Sequence, residues 1–121
     1  MEGSAPRRRV VIVEDDADIA VLLSDILDAE GYAPRAVSDV AGFAADLDPR
    51  PHLIVLDLRL GRGSAAEILS TLRARGMADV PVLLLSAASD LPERARELGV
   101  ATYLAKPFEL DEFIVIVRGL V

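Results

Sequence analysis

Short apolar runs alternate along this chain with segments whose apolar residues recur at helical spacing. Arg9–Val13, Leu53–Leu56 and Val80–Leu85 are almost continuously apolar, as expected for parallel strands that are covered on both faces. After the first run, apolar residues recur three or four positions apart, which predicts an amphipathic helix. These residues are Ile19, Leu22, Leu23, Ile26 and Leu27.

Turn and capping residues predict the elements between these runs. Tyr32–Val37 is predicted as an edge strand, because Pro34 cannot donate a hydrogen bond to a neighbouring strand. Either Ser38 or Asp39 can cap a helix that runs to about Leu47, and Pro49–Pro51 is expected to be a turn.

The second half continues the same alternation. Ser64 is expected to cap a helix that ends near Arg75, after a loop at 61–63. Pro92 suits the first turn of a helix that stops at Gly99, and Ala101–Ala105 is predicted as the last strand.

The segment Leu110–Val121 fits two patterns, a helix and a β-prone run. Acidic residues at its start favour the helix, whose core face would hold Leu110, Phe113, Ile114 and Val117. One or both of Val115 and Ile116 would then point outward. The sum is five βα units, which predicts a three-layer α/β fold with a doubly wound parallel sheet.

Composition narrows the class of protein. The chain has 121 residues, which favours one domain, and it is 52% hydrophobic, which favours a globular fold over disorder. Its net charge of −7 argues against direct binding of nucleic acid. It has no cysteine, which fits a reducing, cytoplasmic location, and no apolar run long enough for a membrane span. Residues 1–8 are expected to form a tail before the domain at 9–121.

Polar residues suited to phosphate chemistry follow four of the predicted strands. Glu14 and Asp15 follow the first run, and Asp57, Ser86 and Lys106 each follow a later one. The carboxyl ends of parallel strands share one edge of a sheet, where open α/β sheets bind ligands. Carboxylates that converge there repel one another unless a cation lies between them, and Mg²⁺ prefers oxygen ligands. An aspartate is also a competent nucleophile toward phosphorus.

These motifs together closely resemble the receiver domain of bacterial response regulators in two-component systems. The matching segments are 10–16, 52–58, 83–87 and 103–108. The resemblance covers the chain from about Arg9 and implies a flavodoxin-like (βα)5 fold with strand order 2-1-3-4-5. It implies a phosphorylation switch, not a turnover enzyme, that takes a phosphoryl group from a sensor histidine kinase or a histidine phosphotransfer protein.

The resemblance also implies a role for each site residue. Asp57 would be the phosphoacceptor. Glu14, Asp15, Asp57 and the backbone carbonyl of Arg59 would hold Mg²⁺, or Mn²⁺ in its place. The remaining roles concern the phosphoryl group and the signal: Ser86 and Lys106 would contact the phosphoryl group, Ser86 and Tyr103 would move on activation, and the Lys106–Pro107 peptide bond would be cis. A homodimer or an effector would use the face of the fourth helix, last strand and last helix.

Two departures from the family pattern leave alternatives open. Gly61 replaces a usual proline, and the interval from Ser86 to Lys106 is about two residues short, which predicts a short or displaced fourth helix. The first alternative is a pseudo-receiver, an interaction module that signals without phosphate. The second is a small aspartate-nucleophile phosphatase, which Arg59 disfavours because such enzymes commonly carry a second acid there.

Overall fold

The structure is a computed structural model, which describes residues 7–58 and 64–121. Five parallel strands form one sheet in the order β2-β1-β3-β4-β5. The strands are β1 Arg9–Val13, β2 Ala33–Val37, β3 Leu53–Asp57, β4 Val82–Ser86 and β5 Thr102–Ala105. The helices are α1 Ala17–Ala29, α2 Val40–Ala45, α3 Ser64–Ala74, α4 Leu91–Leu98 and α5 Leu110–Leu120. The predicted fold class and strand order are confirmed.

Alternation along the central strands sends side chains into two separate cores, one on each face of the sheet. In β1, Val11 and Val13 join the core under α2, α3 and α4, whereas Val10 and Ile12 join the core under α1 and α5. Every residue of β3 is buried, which explains why its sequence is apolar without alternation. The helices therefore cover both faces, as a doubly wound sheet requires.

Polar residues and a glycine mark the ends of several helices. The Asp16 carboxylate accepts hydrogen bonds from the backbone N–H groups of Asp18 and Ile19 and so caps α1. Asp39, one of the two predicted candidates, caps α2. Gly99 ends α4 with a φ of 73°, a left-handed backbone conformation that residues other than glycine rarely adopt. The side chain of Ser64, the predicted cap of the third helix, and the loop at 61–63 lie outside what the structure describes.

Two predicted core positions are wrong. Leu22 is 51% exposed, because the buried stripe of α1 runs through Ala20, Leu23 and Leu27 and leaves Leu22 to one side. Leu110 is 45% exposed, since it begins α5 at the carboxyl edge of the sheet, where less of the sheet lies beneath it.

The ambiguous C-terminal segment is a helix, as predicted. Val115 points outward and is exposed, whereas Ile116 packs partly against the core. The fourth helix is short, with eight residues from Leu91 to Leu98, which agrees with the shortened interval before Lys106. Within 7–58 and 64–121, no helix has the length and apolar character needed to cross a membrane.

Candidate functional site

The strand register brings the predicted site residues to one edge of the sheet. Val13 pairs with Leu56, so that Glu14 and Asp57 follow on adjacent strands. Asp57 pairs with Leu85, which places Ser86 one residue beyond it on β4. Ser86 in turn pairs with Ala105, the residue before Lys106. Residues separated by more than ninety positions in sequence therefore meet at the carboxyl ends of four neighbouring strands, β1, β3, β4 and β5.

Three polar side chains at this edge are buried although the rest of the core is apolar. Glu14 is 3% exposed, and Asp57 and Ser86 are each 2% exposed. Burying a charged group costs free energy unless a partner compensates for it. Asp15 is exposed beside them, where water can reach it. The site therefore has two buried carboxylates and one that faces solvent.

Lys106 supplies the positive charge. Its Nζ donates a hydrogen bond to Asp57 Oδ2 at 2.9 Å and lies 3.5 Å from Glu14 Oε1. It is the only lysine in the chain, and the other residues that are positively charged at pH 7 are arginines. The peptide bond between Lys106 and Pro107 is cis. One ammonium thus neutralises part of the charge on two buried carboxylates.

One carboxylate oxygen of Glu14 is close to Lys106 but accepts no hydrogen bond from the described residues. Its Oε2 accepts a hydrogen bond from the Asp16 backbone N–H at 3.2 Å, but its Oε1 is buried without a hydrogen-bond partner in the described part of the chain. The pKa of Glu14 is raised to about 7, first by burial and then by the neighbouring Asp57 carboxyl, while the Asp16 N–H and Lys106 oppose the rise. A buried acceptor of this kind is suited to a cation.

The three carboxylates fit a divalent metal ion by both distance and chemistry. Glu14, Asp15 and Asp57 each offer an oxygen, and these atoms all lie within 4.8 Å of one another. Carboxylate oxygens are the hard donors that Mg²⁺ prefers, and an exposed ligand beside two buried ones leaves room for coordinated water. The backbone carbonyl of Arg59, the fourth predicted ligand, lies outside the described residues.

Ser86 and Tyr103 lie on neighbouring strands but in different surroundings. Ser86 Oγ accepts a hydrogen bond from the Ala88 backbone N–H at 3.0 Å, and the Ser86 carbonyl accepts one from the Lys106 N–H at 2.9 Å. Tyr103 pairs with Leu84 in the sheet and is 42% exposed. Sequence reasoning missed the contact with Ala88, although a serine hydroxyl that binds the N–H two residues later is a common turn.

The raised pKa of Glu14 predicts how stability depends on pH in metal-free buffer. The folded protein holds this proton more tightly than the unfolded chain does, because the pKa rises from 4.5 to about 7. The resulting stabilisation is present below pH 4.5 and is lost as pH rises through about 7. Relative to a Glu14→Gln variant, the unfolding free energy of the wild type should fall by about 1 to 3 kcal/mol across this window. Urea titrations at several pH values measure the difference, and a constant difference would contradict the prediction.

Comparisons with known proteins agree with this geometry. A family model described as the response regulator receiver domain matches residues 10–118. The phosphate regulon transcriptional regulatory protein PhoB of Klebsiella pneumoniae is 32% identical over 116 residues, which are 93% of this chain and 51% of that protein. The transcriptional regulatory protein PdtaR of Mycobacterium tuberculosis is 33% identical over 113 residues, which are 92% of this chain and 55% of that protein.

A solved structure shows the same fold at lower identity. The chemotaxis protein CheY4 of Vibrio cholerae superimposes with a TM-score of 0.84 over 96% of this chain and 100% of that chain, at 19% identity. The chain spans about half the length of the two regulators described above.

Proposed function

Because the chain belongs to the response regulator receiver domain family, we propose that it is a phosphorylation switch whose phosphoacceptor is Asp57. The phosphodonor would be a phosphohistidine on a sensor histidine kinase or a histidine phosphotransfer protein. Such a switch acts in the cytoplasm, where the catalytic domains of these kinases are. The observation that carries the proposal is the buried Asp57 carboxylate, 2.9 Å from Lys106 Nζ and beside two further carboxylates.

In the proposed reaction, a carboxylate oxygen of Asp57 attacks phosphorus as the phosphorus–nitrogen bond of the phosphohistidine breaks. The electron pair of that bond returns to the histidine ring, and an acyl phosphate forms on Asp57. Mg²⁺ held by Glu14, Asp15 and Asp57, together with the Arg59 carbonyl, would supply positive charge for the phosphoryl oxygens. Mn²⁺ has the same ligand preference and would substitute.

Lys106 and Ser86 would stabilise the transferred group. Lys106 Nζ already contacts Asp57, and because an ammonium has three N–H donors it can donate one hydrogen bond to a phosphoryl oxygen once the group is attached. The Ser86 hydroxyl can donate to another phosphoryl oxygen, while its lone pair now binds the Ala88 N–H. A shift of Ser86 toward the phosphoryl group would disturb this bond and the loop that precedes α4.

The signal would leave through the face formed by α4, β5 and α5, where a homodimer or an effector would bind. The exposed side chains of Tyr103 and Val115 support this proposal. Tyr103 would change rotamer together with Ser86.

The test is uptake of phosphate from acetyl phosphate, followed by intact mass spectrometry. With Mg²⁺ we expect a singly phosphorylated species, and with excess EDTA we expect its yield to fall by at least about tenfold, because the carboxylates then lack the cation that offsets their charge. Manganese added in excess over the EDTA should restore the yield. No uptake under any of these conditions would favour the pseudo-receiver, and multiple turnover of a phosphoester substrate would favour a phosphatase.

A further inference from the structure

A groove of about 550 Å³ lies beside the acidic cluster, and the proposed reaction does not use it. We call it the α1–α2 groove, because it runs between α1, the end of β2 and the start of α2. The residues that define it are Ala20, Val21, Ala36, Asp39, Gly42 and, where it reaches the acidic cluster, Asp15.

Small side chains make the groove concave, and backbone hydrogen bonds hold its shape. At Gly42, an added Cβ would lie 3.1 Å from Asp39 Oδ1 and 3.5 Å from Val37 Cβ, so that any side chain there would fill the space. The Gly42 N–H donates to Asp39 Oδ1 at 2.7 Å. The Glu14 N–H donates to the Val37 carbonyl at 3.0 Å, which joins the groove to the site through the backbone. The groove is therefore formed before any partner binds.

The groove combines acidic ends with apolar walls. Asp15 and Asp39 are both exposed, and no basic side chain is among the described residues that line the groove. Val21, on its α1 side, is 59% exposed and gives the groove an apolar wall. A positively charged group on an apolar stem matches both features.

We propose that the α1–α2 groove receives an arginine side chain of the protein that delivers the phosphoryl group, with Asp39 as its ion-pair partner. This inference rests on the proposed function, since the donor must approach Asp57 from the edge where the groove opens. Asp15 would coordinate the proposed metal ion, so Asp39 is the carboxylate of the groove that can pair with an incoming guanidinium. Arginine fits better than lysine because its guanidinium is more weakly hydrated, so that it loses less hydration free energy on entering a partly apolar groove.

The test uses a short peptide as the probe, because the arginine can then be exchanged for a neutral group of the same shape. The acetylated and amidated peptide Gly-Arg-Gly is titrated into the ¹⁵N-labelled protein with saturating Mg²⁺, and the same peptide with citrulline serves as the control. We expect chemical-shift changes at the amides of Ala36, Asp39 and Gly42, with at least about threefold weaker binding for citrulline.

Two variants locate the interaction. Asp39→Asn removes the charge but keeps a side chain that can cap α2. This variant should bind the arginine peptide about threefold or more weakly than the wild type does. Gly42→Ala should weaken it by narrowing the groove. Asp25→Asn removes an exposed charge elsewhere on α1 and should leave binding unchanged.

Equal binding of the citrulline peptide, shifts confined to other surfaces, or the same affinity in Asp39→Asn as in the wild type would overturn the inference. Acetyl phosphate labelling of the same wild-type sample separates this outcome from failure of the proposed function. Uptake of phosphate without arginine-specific shifts would refute the groove alone, and arginine-specific shifts without uptake would refute the role in phosphoryl transfer.

Discussion

Replacing Asp57 with Asn should reduce phosphate uptake from acetyl phosphate by at least about a hundredfold, because an amide lacks the nucleophilic oxygen. The substitution keeps the size of a side chain that is 2% exposed and lies against Lys106. It also removes one negative charge from a site with three carboxylates and one ammonium. We therefore expect Asp57→Asn to fold, and to lose phosphorylation without losing structure.

Asp16→Asn is the matched control for this variant. Asp16 lies beside the cluster but is exposed and caps α1, and Asn is an equally good capping residue. This variant should take up phosphate at close to the wild-type level. If Asp57→Asn retains most of the uptake, the phosphoacceptor has been assigned to the wrong residue.

Lys106→Met should have the second largest effect, and it should change both stability and chemistry. Methionine keeps much of the side chain's length but removes the ammonium that contacts Asp57 and Glu14. Two buried carboxylates then lose their countercharge, which should lower the unfolding free energy in metal-free buffer at neutral pH by about 3 kcal/mol. Phosphate uptake should fall by about a hundredfold, as when one preorganised donor is removed from a site that stabilises developing charge.

Lys106→Arg separates these two effects. Arginine keeps the positive charge and should retain most of the stability, but its planar head cannot take the same position between two carboxylates and a phosphoryl group. Uptake should therefore fall more than stability does. Urea denaturation and intact mass spectrometry measure the two quantities. Full uptake by Lys106→Met would contradict the proposed role of the ammonium.

The side chain of Lys106 can also be used to probe the site directly when no metal ion is bound. Since the chain has no other lysine, protein grown with isotopically labelled lysine shows one side-chain signal. That signal reports on the contacts of Nζ with Asp57 and Glu14 before and after phosphate is added.

Much of the fold could be predicted from the sequence because local signals and burial agree. β1 from Val10 and β3 up to Leu56 are continuously apolar, because both faces of the central strands are covered. Asp16 and Gly99 mark helix ends through their own side-chain or backbone chemistry. The edge position of β2 followed from Pro34, which lacks an N–H group.

Other features depend on tertiary contacts, which the spacing of apolar residues along a helix does not reveal. Leu22 and Leu110 fit apolar stripes, but the edge of a stripe and the end of a sheet decide which of its members are buried. The candidate site is similar in this respect: sequence reasoning placed Glu14, Asp57 and Lys106 at one edge, whereas the unsatisfied Glu14 Oε1 becomes visible only from the packing around it. The α1–α2 groove arises because small residues of three elements meet, so no single segment indicates it.

The most direct test of the central claim is to identify the residue that carries the phosphate. Protein treated with acetyl phosphate and Mg²⁺ is reduced with borohydride, which converts an acyl phosphate to an alcohol, and is then digested and sequenced by mass spectrometry. We predict that Asp57 alone is converted, and that no residue is converted when EDTA is present throughout. Conversion of Asp15 or Glu14, or phosphate that resists borohydride on Ser86, would contradict the assignment of Asp57 as the phosphoacceptor.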